Sequence, residues 1–380
     1  MPSDYDPRGL LKKMEEREKI LILGKLPPPY FGPAVATEII IKSCLKNVFD
    51  LNHFETRIND EFDTIGKKNI GKFPVVFKKY YQYILQLKAI HPDLIIVPIS
   101  QSTIGFIKDS VYIFLGINSG SKVLIHLRGS NLLNWLNTSS RLTRWYFKYI
   151  LKRTSGAIVL GENLKYLFMD FFPSELVHVV PNGGNFNFSK GLKKTSSFNI
   201  LFFSNLLPSK GVEDVIEAAY ILKEKGNKSI SFSLAGAWHN DKFKSRCLNK
   251  IKTQNLPVKV FSPASGDMKK KLFSEADIFL FPPREPEGHP WVIIEALAAG
   301  LPIISTNQGA ITESVKNGKN GFIVNINQPG EIAEKIKLLA EHPEICKKMG
   351  KESRQLYEDN FTEEIMVKNL KTTIEKTLCS

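Results

Sequence analysis

"DIFLFPPREPEGHPWVIIEALAAGLPIIST", residues 277–306, is the stretch on which the reading of the fold turns. Its apolar run Ile278–Phe281, bounded by Asp277 and the pair Pro282-Pro283, reads as a buried strand. Pro290 suits the first position of a helix, where a missing N–H is no loss. "WVIIEALAAG" then reads as a helix stopped by Gly300, and "LPIIST" (301–306) as the next strand. Strand, helix and strand in close order, with strands apolar on both faces, make one unit of a parallel sheet covered by helices. The unit also carries two acids, Glu287 at the mouth of the helix and Glu295 inside it. At the usual helical rise Glu295 lies about 7.5 Å beyond Pro290 along the axis. Free N–H groups and the dipole make a helix start an anion site, so acids on either side of it would be repelled unless each faces hydroxyl groups. A nucleotide sugar has that layout, with hexose hydroxyls, a diphosphate and then a ribose diol. The plain alternative is a surface-loop acid and a half-exposed helix acid, and it suits either residue alone better than it suits the whole string.

The same style extends outward. "KILILGK" (19–25), "DLIIVPI" (93–99), "VYIFLGI" (111–117), "KVLIHLR" (122–128), "GAIVLG" (156–161) and "VHVVPN" (177–182) read as buried strands in the first half. "FNILFFSN" (198–205), "ISFSLAG" (230–236), "VKVFSP" (258–263) and "GFIVNI" (321–326) complete the second. Between them "NGGNFNFSKGLKKTSSFN" (182–199) is rich in Gly, Asn, Ser and Lys. The expected organisation is a flexible tail at 1–18, a Rossmann-like domain at 19–184, a linker at 185–197 and a second such domain at 198–360. A C-terminal helix at 361–380 is expected to cross back to the first domain. Two doubly wound α/β sheets facing one another would bind their ligand in the cleft, outside the carboxyl ends of the strands.

Bulk properties narrow the function. The chain has 380 residues, is 43% hydrophobic and 24% charged, and can therefore bury a sizeable core. No apolar run is long enough to span a membrane, and the charged start, "MPSDYDPRGLLKKMEEREK", does not read as a secretory signal. Cys44, Cys247, Cys346 and Cys379 lie far apart, which suits reduced thiols in the cytoplasm and opposes a zinc site. The net charge of +14 implies an anionic partner. Residues 1–190 carry 25 basic against 16 acidic side chains, so the excess leans toward the first half.

Glu287, Gly288, Pro290, Glu295, Ala296, Ala298, Gly300 and Pro302 resemble the E-x7-E signature of the family-4 retaining glycosyltransferases, which have the GT-B fold. His289 stands where the family commonly has Phe. The resemblance implies that Glu287 and the backbone of Gly288, His289 and Pro290 hold the transferred sugar, and that Glu295 binds the ribose. "NILFFSNLLPSKGVEDVIEAA" (199–219) is similar to the family's diphosphate grip G-R-x-x-x-x-K-G, with Lys210-Gly211 on pattern. Asn205 replaces the family's Arg, and an amide cannot grip phosphate as a guanidinium does. "VVPNGG" (179–184) resembles the hinge V-I-P-N-G, and "QGAITESVKNGKNGFIV" (308–324) places Gly309, Glu313, Gly318 and Gly321 on a further family element.

In the first half, "KLPPPYFGPAVATEIIIKSCLKN" (25–47) is similar to a Pro-rich loop of surface-polysaccharide members, whose glycine, here Gly32, lets backbone approach the donor phosphates. A plain strand–helix turn explains Gly32 equally. "KVLIHLRGSN" (122–131) ends a strand at the cleft edge. The family's histidine position is Arg128, and His126 lies two residues earlier on the same strand face. Arg128 would neutralise the leaving phosphate and offset the loss at Asn205, whereas His126 reads more simply as a half-buried strand residue. "KFPVVFKKYYQYILQLK" (72–88) and "RLTRWYFKYILKR" (141–153) mix basic and aromatic side chains at helical spacing, as helices lying on an anionic membrane do. Packing on the chain's own sheet with basic outer edges explains the second stretch as well. "DYD" (Asp4 to Asp6) matches a metal motif of the other large glycosyltransferase fold but precedes any strand.

The expected function is a retaining glycosyltransferase acting in surface-polysaccharide, capsule or lipopolysaccharide synthesis. It would move a sugar from a nucleoside-diphosphate donor to a glycan or lipid-linked acceptor, without an obligatory metal. The expected location is cytoplasmic and peripheral on an anionic membrane surface. Alternatives are a nucleotide-sugar epimerase, for which no acid–base pair stands out, and a non-catalytic glycosyltransferase-like subunit marked by Asn205. A basic nucleic-acid-binding protein fits the charge, but no recognised binding module is present.

Overall fold

The computed structural model describes residues 17–28, 30–57, 73–188, 197–227 and 229–380. Asp4 to Asp6 with most of the tail, Pro29, Lys72 and residues 189–196 of the linker lie outside the described residues.

Among the described residues twelve strands form two parallel sheets. The first contains β1 (Lys19–Gly24), β2 (Asp50–Glu55), β3 (Leu94–Ile99), β4 (Lys122–Leu127), β5 (Gly156–Val159) and β6 (Val177–Val179) in the order β2-β1-β3-β4-β5-β6. The second contains β7 (Phe198–Phe203), β8 (Ile230–Ala235), β9 (Val258–Phe261), β10 (Ile278–Phe281), β11 (Ile303–Thr306) and β12 (Gly321–Val324) in the order β12-β11-β10-β7-β8-β9. The helices that cover the first sheet are α1 (Gly32–Lys42), α2 (Phe73–Ile90), α3 (Thr103–Asn118), α4 (Leu132–Thr138) and α5 (Arg141–Leu151). The second sheet carries α6 (Val212–Glu224), α7 (Asp241–Thr253), α8 (Gly266–Glu275), α9 (Trp291–Ala298), α10 (Ile311–Ser314), α11 (Pro329–Glu341) and α12 (Pro343–Asn360), and α13 (Glu363–Cys379) follows. Each sheet reverses its winding once, between β1 and β3 and between β7 and β10, and such reversals open a crevice at the carboxyl ends of the strands.

The cores follow from the strand sequences. Ile200, Leu201, Phe202, Phe279 and Leu280 are fully buried, because helices cover both faces of the second sheet. In the first sheet alternate residues feed two clusters: Leu21, Ile95 and Ile125 pack with α3, while Ile20, Ile22 and Leu124 pack on the opposite face. Met366, Val367, Leu370 and Ile374 of α13 complete that second cluster, and Lys122 Nζ donates to the carbonyls of Thr377 and Leu378 at 3.0 Å each. The chain thus passes between the domains twice, and the two passages touch. Gly184 N–H donates to Phe361 O at 3.2 Å, and the Tyr357 hydroxyl donates to Gly184 O at 2.8 Å.

One strand of the sequence reading is corrected. "VYIFLGI" (111–117) belongs to α3, where Phe106, Asp109, Ser110, Ile113 and Gly116 are buried at helical spacing while Phe114 stands in solvent. Its outward apolar residues fill the gaps in that spacing and mimic a strand buried on both faces. Conversely β2, "DLNHFE", was not read as a strand; it lies at the sheet edge and buries little besides Phe54.

Candidate active site between the two sheets

Lys210 follows β7 and Glu287 follows β10, one on each side of the winding reversal in the second sheet. The chain leaves β7 through a short turn, Pro208–Lys210, and enters α6 at Gly211 with φ of 78°. A Cβ on Gly211 would lie 2.0 Å from Pro282 O, so glycine alone lets the Lys210 turn press on the loop after β10. Arg284 fastens the two from behind: its N–H donates to Ser209 O at 2.8 Å and its guanidinium forks onto Asp214 at 2.7 Å twice. Held this way, the Lys210 ammonium pairs with Glu287 Oε1. Burial raises the Glu287 carboxyl above its usual range, and Lys210 opposes that rise.

Helix α9 begins one residue later than read: Pro290 has φ of −66° and ψ of 127° as the cap, and its carbonyl accepts from Ile293 N–H at 3.1 Å. Glu295 is 5% exposed within the first turns of α9. Its Oε1 pairs with Lys269 of α8, and its Oε2 is buried without a hydrogen-bond partner. Burial lifts its carboxyl and Lys269 pulls it back. The second oxygen is therefore an acceptor for which the described protein residues supply no donor.

The His289 ring does not face the cleft. Nδ1 accepts from Asn182 N–H at 3.2 Å, so Nε2 bears the proton and donates to Ser314 Oγ at 2.6 Å. The Asn182 amide donates to His289 O at 2.7 Å, and the ring lies 5.0 Å from Phe361. Complete burial lowers its pKa to about 3, so it is a neutral spacer between acid loop and hinge.

The first domain contributes from the ends of β1 and β4. His126 is buried on β4 with Nε2 unpartnered, and burial, then the charge of Arg128, hold it neutral. The Arg128 guanidinium follows β4 and makes no hydrogen bond or ion pair with the described residues. Desolvation draws it down to about 10, leaving it charged at neutral pH. A Cβ on Gly288 would lie 2.3 Å from Arg128 O, so the acid loop and the end of β4 meet across the interdomain gap. Gly32 opens α1 against the Trp291 indole, whose Cδ1 would be 3.0 Å from a Cβ there. Asn205 is exposed and its side chain makes no hydrogen bond with the described residues. Lys269, Arg284 and Trp291 border the candidate site, and sequence reasoning did not single them out. Lys269 is one of three adjacent lysines with nothing in the sequence to single it out. A hollow of about 920 Å³ lined by Arg17, Lys46 and His91 lies at the amino ends of β1 to β3, the wrong end of a parallel sheet for a substrate.

Residues 185–356 match the family described as Glycosyl transferases group 1. An uncharacterized glycosyltransferase of Haemophilus influenzae is 24% identical over 86% of this chain and 92% of its own length. The Staphylococcus aureus capsular polysaccharide biosynthesis glycosyltransferase CapM is 27% identical over 46% of this chain and 45% of its own. The Anabaena protein HepE, solved in complex with UDP, superposes with a TM-score of 0.73 at 19% identity, covering 94% of this chain and 100% of that one. The fold is GT-B, and the family match over the second domain supports a glycosyltransferase.

Proposed function

We propose that this protein is a retaining glycosyltransferase that moves a sugar from a nucleoside diphosphate to a hydroxyl of a lipid-linked glycan at an anionic membrane surface, in surface-polysaccharide synthesis. One observation carries the reading. Two acids, Glu295 buried and Glu287 half-buried, are each paired with a lysine and bracket the start of α9, and the backbone of Arg128, at the end of β4 in the other sheet, meets the acid loop at Gly288. Glu295 Oε2 takes a ribose hydroxyl, which satisfies a buried acceptor. The diphosphate lies between Lys210, Arg128 and the first N–H groups of α9, where lysine, guanidinium and helix dipole all favour negative charge. Lys210 turns to phosphate as the donor enters, and Glu287 then accepts from hexose hydroxyls.

In the transfer step the bond from the anomeric carbon to the phosphate oxygen breaks, and the acceptor oxygen bonds to that carbon on the same face. The acceptor proton passes to the departing phosphate oxygen, whose growing charge Lys210 and Arg128 hold. No step requires His126 to carry charge. UDP in the HepE complex and the polysaccharide role of CapM support a nucleotide-sugar donor and a glycan acceptor. The membrane part of the reading is supported by α2, α3 and α5, where α3 packs on both neighbours. Phe77, Tyr81, Ile107 and Trp145 stand exposed there beside Arg141, Lys148 and Lys152. Among the described residues no helix is long and apolar enough to cross a membrane.

The test is hydrolysis of a panel of nucleoside-diphosphate sugars by the pure protein, with the anomer of each released or transferred sugar identified. Turnover with retained configuration is expected for at least one donor. An inverted product would overturn retention, and inertness toward the whole panel would favour a non-catalytic subunit.

A further inference from the structure

Three hydrogen bonds reach from one first-domain residue onto the second domain. Asn163, in the turn after β5, donates its backbone N–H to Glu313 Oε1 at 2.8 Å. Its side-chain amide donates to Gly309 O at 2.8 Å and to Thr312 Oγ1 at 3.0 Å. The segment it grips rests on the acid loop. Ala310 N–H donates to Gly288 O at 2.8 Å, and a Cβ on Gly309, with φ of 57°, would lie 1.8 Å from Glu287 O. Ala310 is wholly buried among first-domain core residues, and a Cβ on Gly161 would lie 2.9 Å from Ala310 Cβ. Only Gly309 and Ala310 therefore separate Asn163 from the backbone of Glu287 and Gly288. The three bonds are solvent-exposed, so water can replace them when the domains part.

We propose that Asn163 is a positioning residue. It clasps the first domain to residues 309–313 and thereby fixes the Glu287–Gly288 loop in register with Arg128. Catalysis depends on both halves of the site being brought together, so the clasp acts on turnover and leaves donor affinity, which resides in the second domain, nearly untouched. The kinetic part rests on the glycosyltransferase reading. The geometric part, that Asn163 holds the domains closed, does not.

Asn163→Ala should lower kcat about tenfold, below the roughly hundredfold that a 1 Å misplacement can cost, while donor Kd by calorimetry stays within about twofold. Small-angle scattering of the donor-free variant should show a larger radius of gyration than the parent. Asn163→Asp sets a carboxylate against Glu313 and Gly309 O and should be worse than alanine in both readouts. Adding Glu313→Gln to Asn163→Asp should recover part of the loss, a coupling that a general loss of stability would not give. Unchanged kcat and scattering in Asn163→Ala would overturn the clasp, as would an aspartate variant that Glu313→Gln fails to relieve. Should the parent protein turn over no donor, the proposed function fails, and the scattering of the same variants still decides whether Asn163 holds the domains together.

Discussion

The two domains share an architecture and differ in what they show to water. Among the described residues sixteen large hydrophobic side chains are exposed; fourteen precede residue 170, and two, Met268 and Ile326, belong to the second domain. The second domain hides its apolar residues and spends its lysines on acids, as Lys210 on Glu287, Lys250 on Glu217 and Lys269 on Glu295. Helix α5 of the first domain leaves its own uncommitted: Arg141 and Lys148, with Lys152 just past its end, carry no ion pair among the described residues and flank the stacked pair Trp145 and Tyr149, 5.5 Å apart. Apolar surface that a fold could bury, yet leaves open beside free cations, is suited to a medium other than water. On the proposed function the two surfaces divide the labour, with donor binding assigned to the second domain and adhesion to the first.

If that division holds, lesions in one domain should spare the property of the other. The largest effect is expected from Lys210→Ala, which removes the cation nearest the leaving phosphate. Donor turnover should fall roughly 10²–10³-fold, while binding to vesicles of anionic lipid is unchanged; a near-normal rate would take Lys210 out of the phosphate site. Replacing Phe77, Tyr81 and Trp145 by Ser together should weaken vesicle binding by at least about tenfold, judged from the apolar area withdrawn. Calorimetric titration of a soluble donor should not respond, and vesicle binding indifferent to these changes would end the adhesive reading. Glu295→Gln exchanges a charged acceptor for a neutral one at constant shape, so donor affinity should drop about tenfold, with the melting temperature nearly constant. An unaltered titration would remove Glu295 from the ribose.

A further effect, read in stability and not in activity, concerns the interface itself. Burial lowers His289 from its ordinary 6.5 to about 3, and burial, then the charge of Arg128, lowers His126 in the same direction. Each takes up a proton on unfolding, so stability is full above about pH 6.5 and declines as pH falls toward 3. Urea unfolding of His289→Asn should show a shallower decline over pH 6.5 to 4, by at most about 1.4 kcal/mol per pH unit. An identical slope would mean that this ring is already protonated in the fold.

The same contrast explains what the sequence disclosed. All six strands of the second domain were legible, because each holds a short run dominated by apolar residues while α7 and α12 turn charge to water. In the first domain α3 exposes Ile104, Ile107 and Phe114, which erased the gaps a helix needs to be recognised, and β2 was too polar to stand out. At the site, Glu287, Glu295 and Lys210 could be found from a local string. Lys269, Arg284 and Asn163 could not, since each acts on a partner 26 to 150 positions away that only the folded chain brings near. The His289 position was legible and the orientation of its ring was not, because Asn182 and Ser314 set it from other elements.

The doubled passage between the domains, with Gly184 laid against Phe361, carries a mechanical meaning. One connecting segment would let the halves swivel and slide like beads on a cord. Two segments bonded side by side behave as a door hinged at two points, free to swing about a line and stiff against every other displacement. Any opening about such a pair would follow a single coordinate, which one pair of spectroscopic labels placed across the mouth would test.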